Sequence, residues 1–210
     1  VNDAYDYLGD TYDFYMDYHG RDSIDDAGMV LSATVRYCDP YYGCPMMNAF
    51  YDGSINRMYF GEGMVADDVT AHELTHGVTF MSSNLAYFSE SGAINEAFSD
   101  IWGEYVDLTN GAGNDDPSVR WLMGEDTPFG AIRSMEDPTM FGDPAIYHGP
   151  YWYWGSGDYG GVHTNCGVGS KLCYLITDGD TFNGYTVDGL GIDKTADIFY
   201  RVQNVLIPSA

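Results

Sequence analysis

The sequence predicts an α+β protein of two lobes. The runs of β-branched and aromatic residues that read as strands fall within the first 60 residues. Segments with apolar residues three and four apart dominate from residue 67 onward. Between the two lies His72-Glu73-Leu74-Thr75-His76, on a helix expected at the junction of the lobes. The N-terminal lobe is expected over residues 1–67, the central helix over 68–81 and a mainly helical C-terminal lobe over 82–210. A chain of 210 residues is long enough to bury a sizeable core in this arrangement.

In chain order, residues 4–19 carry an apolar stripe of Ala4, Tyr5, Leu8, Tyr12, Tyr15 and Met16, with Gly20 as a stop. Val30–Tyr37 reads as a strand. Asn48–Tyr51 and Ile55–Phe60 read as two more, with Asp52-Gly53 as their turn. The small sheet exposes at least one edge. After Gly61–Gly63 a helix begins near Asp67 or Asp68, either of which suits a cap. A loop over 82–91 leads to a helix over Gly92–Asp107. Residues 109–118 are a loop, and Trp121–Gly161 shows little periodicity, as in long loops that build a cleft. Asn165–Ile176 reads as a helix, 178–191 as a loop and Lys194–Leu206 as the last helix.

Composition narrows the function. Thirty-two acids against eight bases give a net charge of −24, so phosphate is repelled and nucleic acid is a poor partner. Hard cations such as calcium suit that balance, although most of the acids read as a solvated surface. No apolar run approaches the roughly 20 residues of a membrane helix. No secretion signal is seen, the expectation for a mature or trimmed chain. Cys38 and Cys44 flank a turn-rich stretch and suit a small disulfide loop, which implies an oxidising compartment. Cys166 and Cys173 are seven apart on one helix, about 10 Å, too far to bond each other. They read as buried thiols or as partners of residues outside this chain.

Histidines four apart on a helix share one face and converge on a single metal ion. Glu96, twenty residues after His76 on the following helix, supplies a carboxylate. Two imidazoles and one carboxylate leave a fourth position for water, the pattern of catalytic rather than structural zinc. Asp100, one turn after Glu96, is placed to accept from the far nitrogen of a ligand histidine, which fixes its tautomer. Asn95 suits a similar supporting part.

His72-Glu-Leu-Thr-His76 followed by Glu-Ser-Gly-Ala-Ile-Asn-Glu96-Ala-Phe-Ser-Asp100 resembles the thermolysin family of secreted zinc endopeptidases. Asn48-Ala49-Phe50-Tyr51-Asp52-Gly53 resembles its substrate-binding edge strand, with tyrosine at Tyr51 where the family has tryptophan. Arg133-Ser-Met-Glu-Asp-Pro and Asp158-Tyr-Gly-Gly-Val-His163-Thr-Asn resemble its later segments, in the same order. The resemblance implies a two-lobed zincin fold. It implies zinc on His72, His76 and Glu96, with Glu73 as the base that takes a proton from the zinc-bound water. Tyr87 and His163 would donate to the oxyanion, Asp158 would orient His163, and Arg133 would hold the carbonyl beyond the scissile bond. Asn48 and the Ala49 backbone would pair with an extended substrate, and Val69 and Ile132 would line an apolar pocket on the leaving-group side. Taken alone, His163 reads as a buried histidine and Arg133 as a surface ion-pair partner. Only their place in the matched segments gives them these roles.

The same resemblance implies structural calcium on Asp68, Glu104, Asp107 and Glu125. Arg120 stands where relatives carry an aspartate, with Asp115 or Asp116 as a substitute, so one calcium is expected rather than two. Relatives extend beyond both ends, which makes this a catalytic-core fragment by expectation, with apolar surface exposed near 165–206. The implied activity is cleavage of internal peptide bonds in protein or peptide substrates by a secreted monomer, with association through the exposed surface as the other expected state. The rivals are a non-catalytic peptide-binding relative and an exopeptidase on the same scaffold.

Overall fold

A computed structural model describes residues 1–39, 41, 43–114 and 116–209. Helix α1 spans Asn2–His19 and stops at Gly20, whose left-handed backbone (φ 65°) lets its N–H return to Met16 O. Ala4, Leu8, Phe14 and Tyr15 are its buried apolar side chains.

Strands β1 (Ala33–Thr34), β2 (Ala49–Asp52) and β3 (Arg57–Phe60) form one sheet in the order β1-β3-β2. β1 runs parallel to β3 and β2 antiparallel to it, which leaves β2 at an edge. The expected strand Val30–Tyr37 contracts to two residues; on its C-terminal side Arg36 at φ 54° interrupts the ladder, which Tyr37 N–H rejoins by donating to Phe60 O at 2.8 Å. The β2–β3 turn is longer than Asp52-Gly53: residues 53–56 make it, with Ser54 N–H and Oγ donating to Asp52 Oδ1.

Helix α2 (Asp67–Met81) is buried along nearly its whole length, because α1, β2 and α3 pack around it. Neither Asp67 nor Asp68 caps it; Ala66 holds the cap position with no side-chain bond. Helix α3 (Ser89–Asn110) begins three residues before the expected Gly92 and ends three after Asp107, stopping at left-handed Gly111. A Cβ at Gly92 would lie 2.4 Å from Val162, so glycine sets the approach of α3 to the segment carrying His163.

The stretch 121–161 is largely irregular. It carries a two-residue pair, β4 (Leu122–Met123) with β5 (Arg133–Ser134), and a short 3-10 turn over Pro138–Phe141. The expected helix Asn165–Ile176 is present as α5 (Gly167–Thr177), and a further short helix, α4 (Asp158–Asn165), precedes it across Cys166, beginning inside the stretch expected to be irregular. The expected loop 178–191 contains a hairpin, β6 (Gly179–Phe182) and β7 (Tyr185–Asp188), turned by left-handed Asn183 and Gly184. Helix α6 spans Ile192–Val205.

Trp102, Trp121, Tyr15 and Tyr105 are the largest buried side chains and sit in one core with residues of α1, α2, α3 and α6. Cys38 and Cys44 are disulfide-bonded, and Cys166 and Cys173 are buried free thiols. Leu172, Leu190, Ile198, Val202 and Val205 are exposed, in the region where apolar surface is expected. No helix among the described residues is long and apolar enough to cross a membrane.

Candidate active site

One helical turn separates His72 from His76, and α3 lies against them. Their Nε2 atoms are 3.1 Å apart. The Glu96 carboxylate stands 3.5 Å from His72 Nε2 and 3.3 Å from His76 Nε2. The three ligand atoms lie within 4.8 Å of one another, and among the described residues no other set of three such groups converges so tightly. Glu96 is fully buried, and its Oε2 has no hydrogen-bond partner. Burial would raise its pKa, yet the two imidazoles hold it well below the usual carboxylate range. Burial opposes charge on His72 as well, but Asp100 and Glu96 push it up to about 10. So much negative charge against two imidazole nitrogens fits a divalent cation with nitrogen and oxygen ligands, as zinc takes.

The outer nitrogens of both histidines are held. His72 Nδ1 lies 3.0 Å from Asp100 Oδ1. His76 Nδ1 lies 2.9 Å from Asn95 Oδ1 and 3.2 Å from Ser99 Oγ. Arg133 grips Asp100 with two bonds, Nε to Oδ2 at 2.9 Å and Nη2 to Oδ1 at 2.5 Å. Ser99 is absent from the sequence reading, although its position one turn after Asn95 on α3 puts it on the same face.

Glu73 is buried at the cleft floor, where burial raises its pKa against the pull of the neighbouring histidines. The Tyr87 hydroxyl donates to Glu96 and lies 3.0 Å from His163 Nε2. Asp158 fixes His163 twice: Oδ1 is 2.6 Å from Nδ1, and Oδ2 accepts the backbone N–H at 3.0 Å. That double contact needs a tight bend, which four successive residues of positive φ, Asp158, Tyr159, Gly160 and Gly161, provide at the start of α4.

These groups share a cleft of about 750 Å³. Asn48 and Ala49 of the edge strand line it, as do Val69, Ile132 and Arg133. Val69 is buried and Ile132 half exposed. Met123, Phe80 and Tyr159 also line it and were not singled out from the sequence. Phe80 is one turn after His76 on α2 and so shares the face of both histidines, whereas Met123 and Tyr159 meet the cleft only through tertiary packing.

A second group of acids lies behind α2. Asp68, Glu104 and Asp107 are buried together, and both Glu104 oxygens and Oε2 of Glu125 have no hydrogen-bond partner. Burial and mutual repulsion raise Asp68 to about 7 and Glu125 to about 8, and Glu104 well above the usual range. Orphaned buried oxygens of this kind suit an oxygen-coordinated cation. Asp68 also accepts from Val69 N–H and Gly124 N–H. Arg120 is turned to Asp178, at 2.9 Å through both Nε and Nη2. Asp116 is exposed, with Oδ1 taken up by Ser118, and Asp115 lies outside the described residues.

Residues 1–80 match the family model of the thermolysin metallopeptidase catalytic domain, and 83–209 that of the thermolysin metallopeptidase alpha-helical domain. The chain is 46% identical to a zinc metalloproteinase of Renibacterium salmoninarum, over 100% of this chain and 41% of that protein. It is likewise 46% identical to a bacillolysin of Bacillus cereus, over 95% of this chain and 35% of that one. The precursor of protealysin, a metalloproteinase from Serratia proteamaculans, superposes with a TM-score of 0.77 at 30% identity, covering 100% of this chain and 67% of that one. The chain thus spans well under half the length of the two curated relatives.

Proposed function

The chain belongs to the thermolysin metallopeptidase family, and from that premise we propose that it is a zinc-dependent endopeptidase acting on internal peptide bonds of proteins and peptides. One observation carries the reading. The His72–His76–Glu96 set, the Glu73 carboxylate and the Tyr87–His163 donor pair meet in one cleft bordered by the free edge of β2.

His72, His76 and Glu96 would hold the zinc, which supplies a Lewis acid and a more acidic water when bound. Glu73, buried and raised by burial, takes the proton of the attacking water and passes it to the leaving nitrogen. Tyr87 and His163 donate to the oxyanion, each contributing up to about 3–4 kcal/mol. Asp158 keeps His163 Nδ1 engaged, so that Nε2 faces the cleft. Arg133, anchored by Asp100, reaches the carbonyl beyond the scissile bond. Asn48 and Ala49 take an extended peptide by strand addition. Val69 and Ile132 favour a bulky apolar side chain on the leaving-group side.

The working unit is an N-terminal lobe of residues 1–67 and a C-terminal lobe of 82–210, joined by the helix 68–81. One calcium ion on Asp68, Glu104, Asp107 and Glu125 secures the base of that helix, which the orphaned Glu104 oxygens support. The Cys38–Cys44 disulfide supports an extracellular setting. The protein works as a monomer.

The test is cleavage of a peptide blocked at both ends with one internal apolar residue. Zinc-loaded protein cuts on the amino side of that residue, and chelator or Glu73→Gln stops it. Trimming of unblocked termini alone would assign an exopeptidase, and binding without cleavage a non-catalytic relative.

A further inference from the structure

Tyr159 stands out on conformation and placement. It holds φ 51° and ψ 29°, a left-handed backbone that costs a tyrosine and would cost glycine nothing. The two residues after it are glycines in the same region, so the bend itself does not call for a side chain here. The ring is 61% exposed, lines the cleft and meets the Tyr87 ring edge-on, with centroids 5.5 Å apart at 66°. A large apolar ring is thus kept in water, at a backbone cost, beside the two oxyanion donors.

Its side of the cleft follows from α2. Val69 lies in the first turn of that helix and Phe80 in the last, about 16 Å apart. Val69 belongs with Ile132, Met123 and Arg133, the leaving-group end under the proposed reading. Tyr87 packs edge-on against His76, beyond the midpoint toward Phe80, and Tyr159 packs on Tyr87. A peptide whose scissile carbonyl sits between Glu73 and the Tyr87–His163 pair directs its preceding residue toward Tyr159.

We propose that Tyr159 is a specificity-determining residue: its exposed ring walls the acyl side of the cleft and selects an aromatic or large aliphatic side chain on the residue before the scissile bond. The inference rests on the endopeptidase reading for the direction of the peptide.

The test separates the two. Zinc-loaded Glu73→Gln protein is titrated with two blocked peptides, identical except for Phe or Gly before the central bond. The Phe peptide binds about 3- to 10-fold tighter, the range of one aromatic contact. Adding Tyr159→Gly, which keeps the backbone conformation, brings the two affinities together, whereas Tyr159→Phe keeps them apart. An undiminished preference in the Tyr159→Gly protein overturns the proposal, as does no preference in the Glu73→Gln parent. Unmutated protein is then given both peptides. Cleavage without the binding preference leaves the peptidase reading standing and removes Tyr159 from it. Binding with preference and no cleavage does the reverse.

Discussion

His72 Nδ1 stands 3.0 Å from Asp100 Oδ1, and the same carboxylate is held by Arg133. The pair therefore links the imidazole proposed to hold zinc to the guanidinium proposed to bind substrate. Asp100→Asn removes the negative charge behind His72 and loosens Arg133 together. Zinc affinity is expected to fall about 10- to 100-fold. A chelator competition titration measures it, and KM rises in the same variant. Unchanged affinity would show that His72 is oriented by packing alone.

Glu73 makes no ligand contact, so its loss separates chemistry from metal binding. Glu73→Gln is expected to bind zinc as tightly as the parent and to lose about 10²- to 10⁴-fold in kcat. Metal analysis together with steady-state rates decides the point. A variant that loses zinc and activity together would place Glu73 among the structural groups.

The Tyr87 hydroxyl and His163 Nε2 are 3.0 Å apart, and both lie against Glu96 Oε1, so they are near enough to serve one oxygen. Tyr87→Phe and His163→Ala should each lower kcat/KM by about 10²- to 10³-fold. The double variant should fall by less than the product, because donors serving one oxygen are not independent. Rates for the four proteins of the cycle give the coupling directly.

The zinc-facing half of this site is legible in the sequence because helices preserve spacing. His72, Glu73 and His76 lie on one helix; Asn95, Glu96 and Asp100 follow on the next, and both periodicities survive folding. The hairpin at 179–188 is read as a loop instead: Phe182-Asn183-Gly184-Tyr185 carries the Asn-Gly turn that favours two-residue hairpins, but few apolar residues flank it. Strand β1 is shorter than its β-branched content suggests: one left-handed residue, Arg36, interrupts the ladder after Thr34, and nothing in the residue type announces that. Met123 and Tyr159 reach the cleft from the two-residue strand β4 and the left-handed start of α4, elements too short or too bent for spacing to carry information about direction.

The buried acids behind α2 give a stability prediction. Glu104 has two partnerless oxygens among Asp68, Asp107 and Glu125, and without a counter-charge these groups repel. Calcium should raise the melting temperature of the protein by several degrees or more, each kcal/mol of binding free energy being worth about 2–4 °C at this size. Glu104→Gln should shrink that response and leave the calcium-free protein no less stable. Melting curves with and without calcium at one pH supply the comparison, and an equal response in both proteins would remove Glu104 from the ion's ligands.

His19 supplies the pH dependence. Its ring is buried where α1 meets α3 and α6, stacked on Tyr200 at 4.1 Å and edge-on to Trp102 at 5.3 Å. Nε2 has no partner, and Nδ1 is 3.7 Å from the exposed Asp197 carboxylate. Burial lowers its pKa to about 4, against the weaker upward pull of Asp197. The folded state therefore prefers the neutral ring. Above pH ~6.5 the ring is neutral whether folded or not, and it adds no pH dependence. As pH falls from there toward 4, only the unfolded chain takes up the proton, so stability drops by about 2–3 kcal/mol. His19→Phe keeps an aromatic ring in the stack and removes the proton site. Urea unfolding at pH 7.5 and pH 4.5 should show the parent losing that much more than the variant between the two conditions. Equal losses in the two proteins would mean that His19 finds a partner for its proton in the fold.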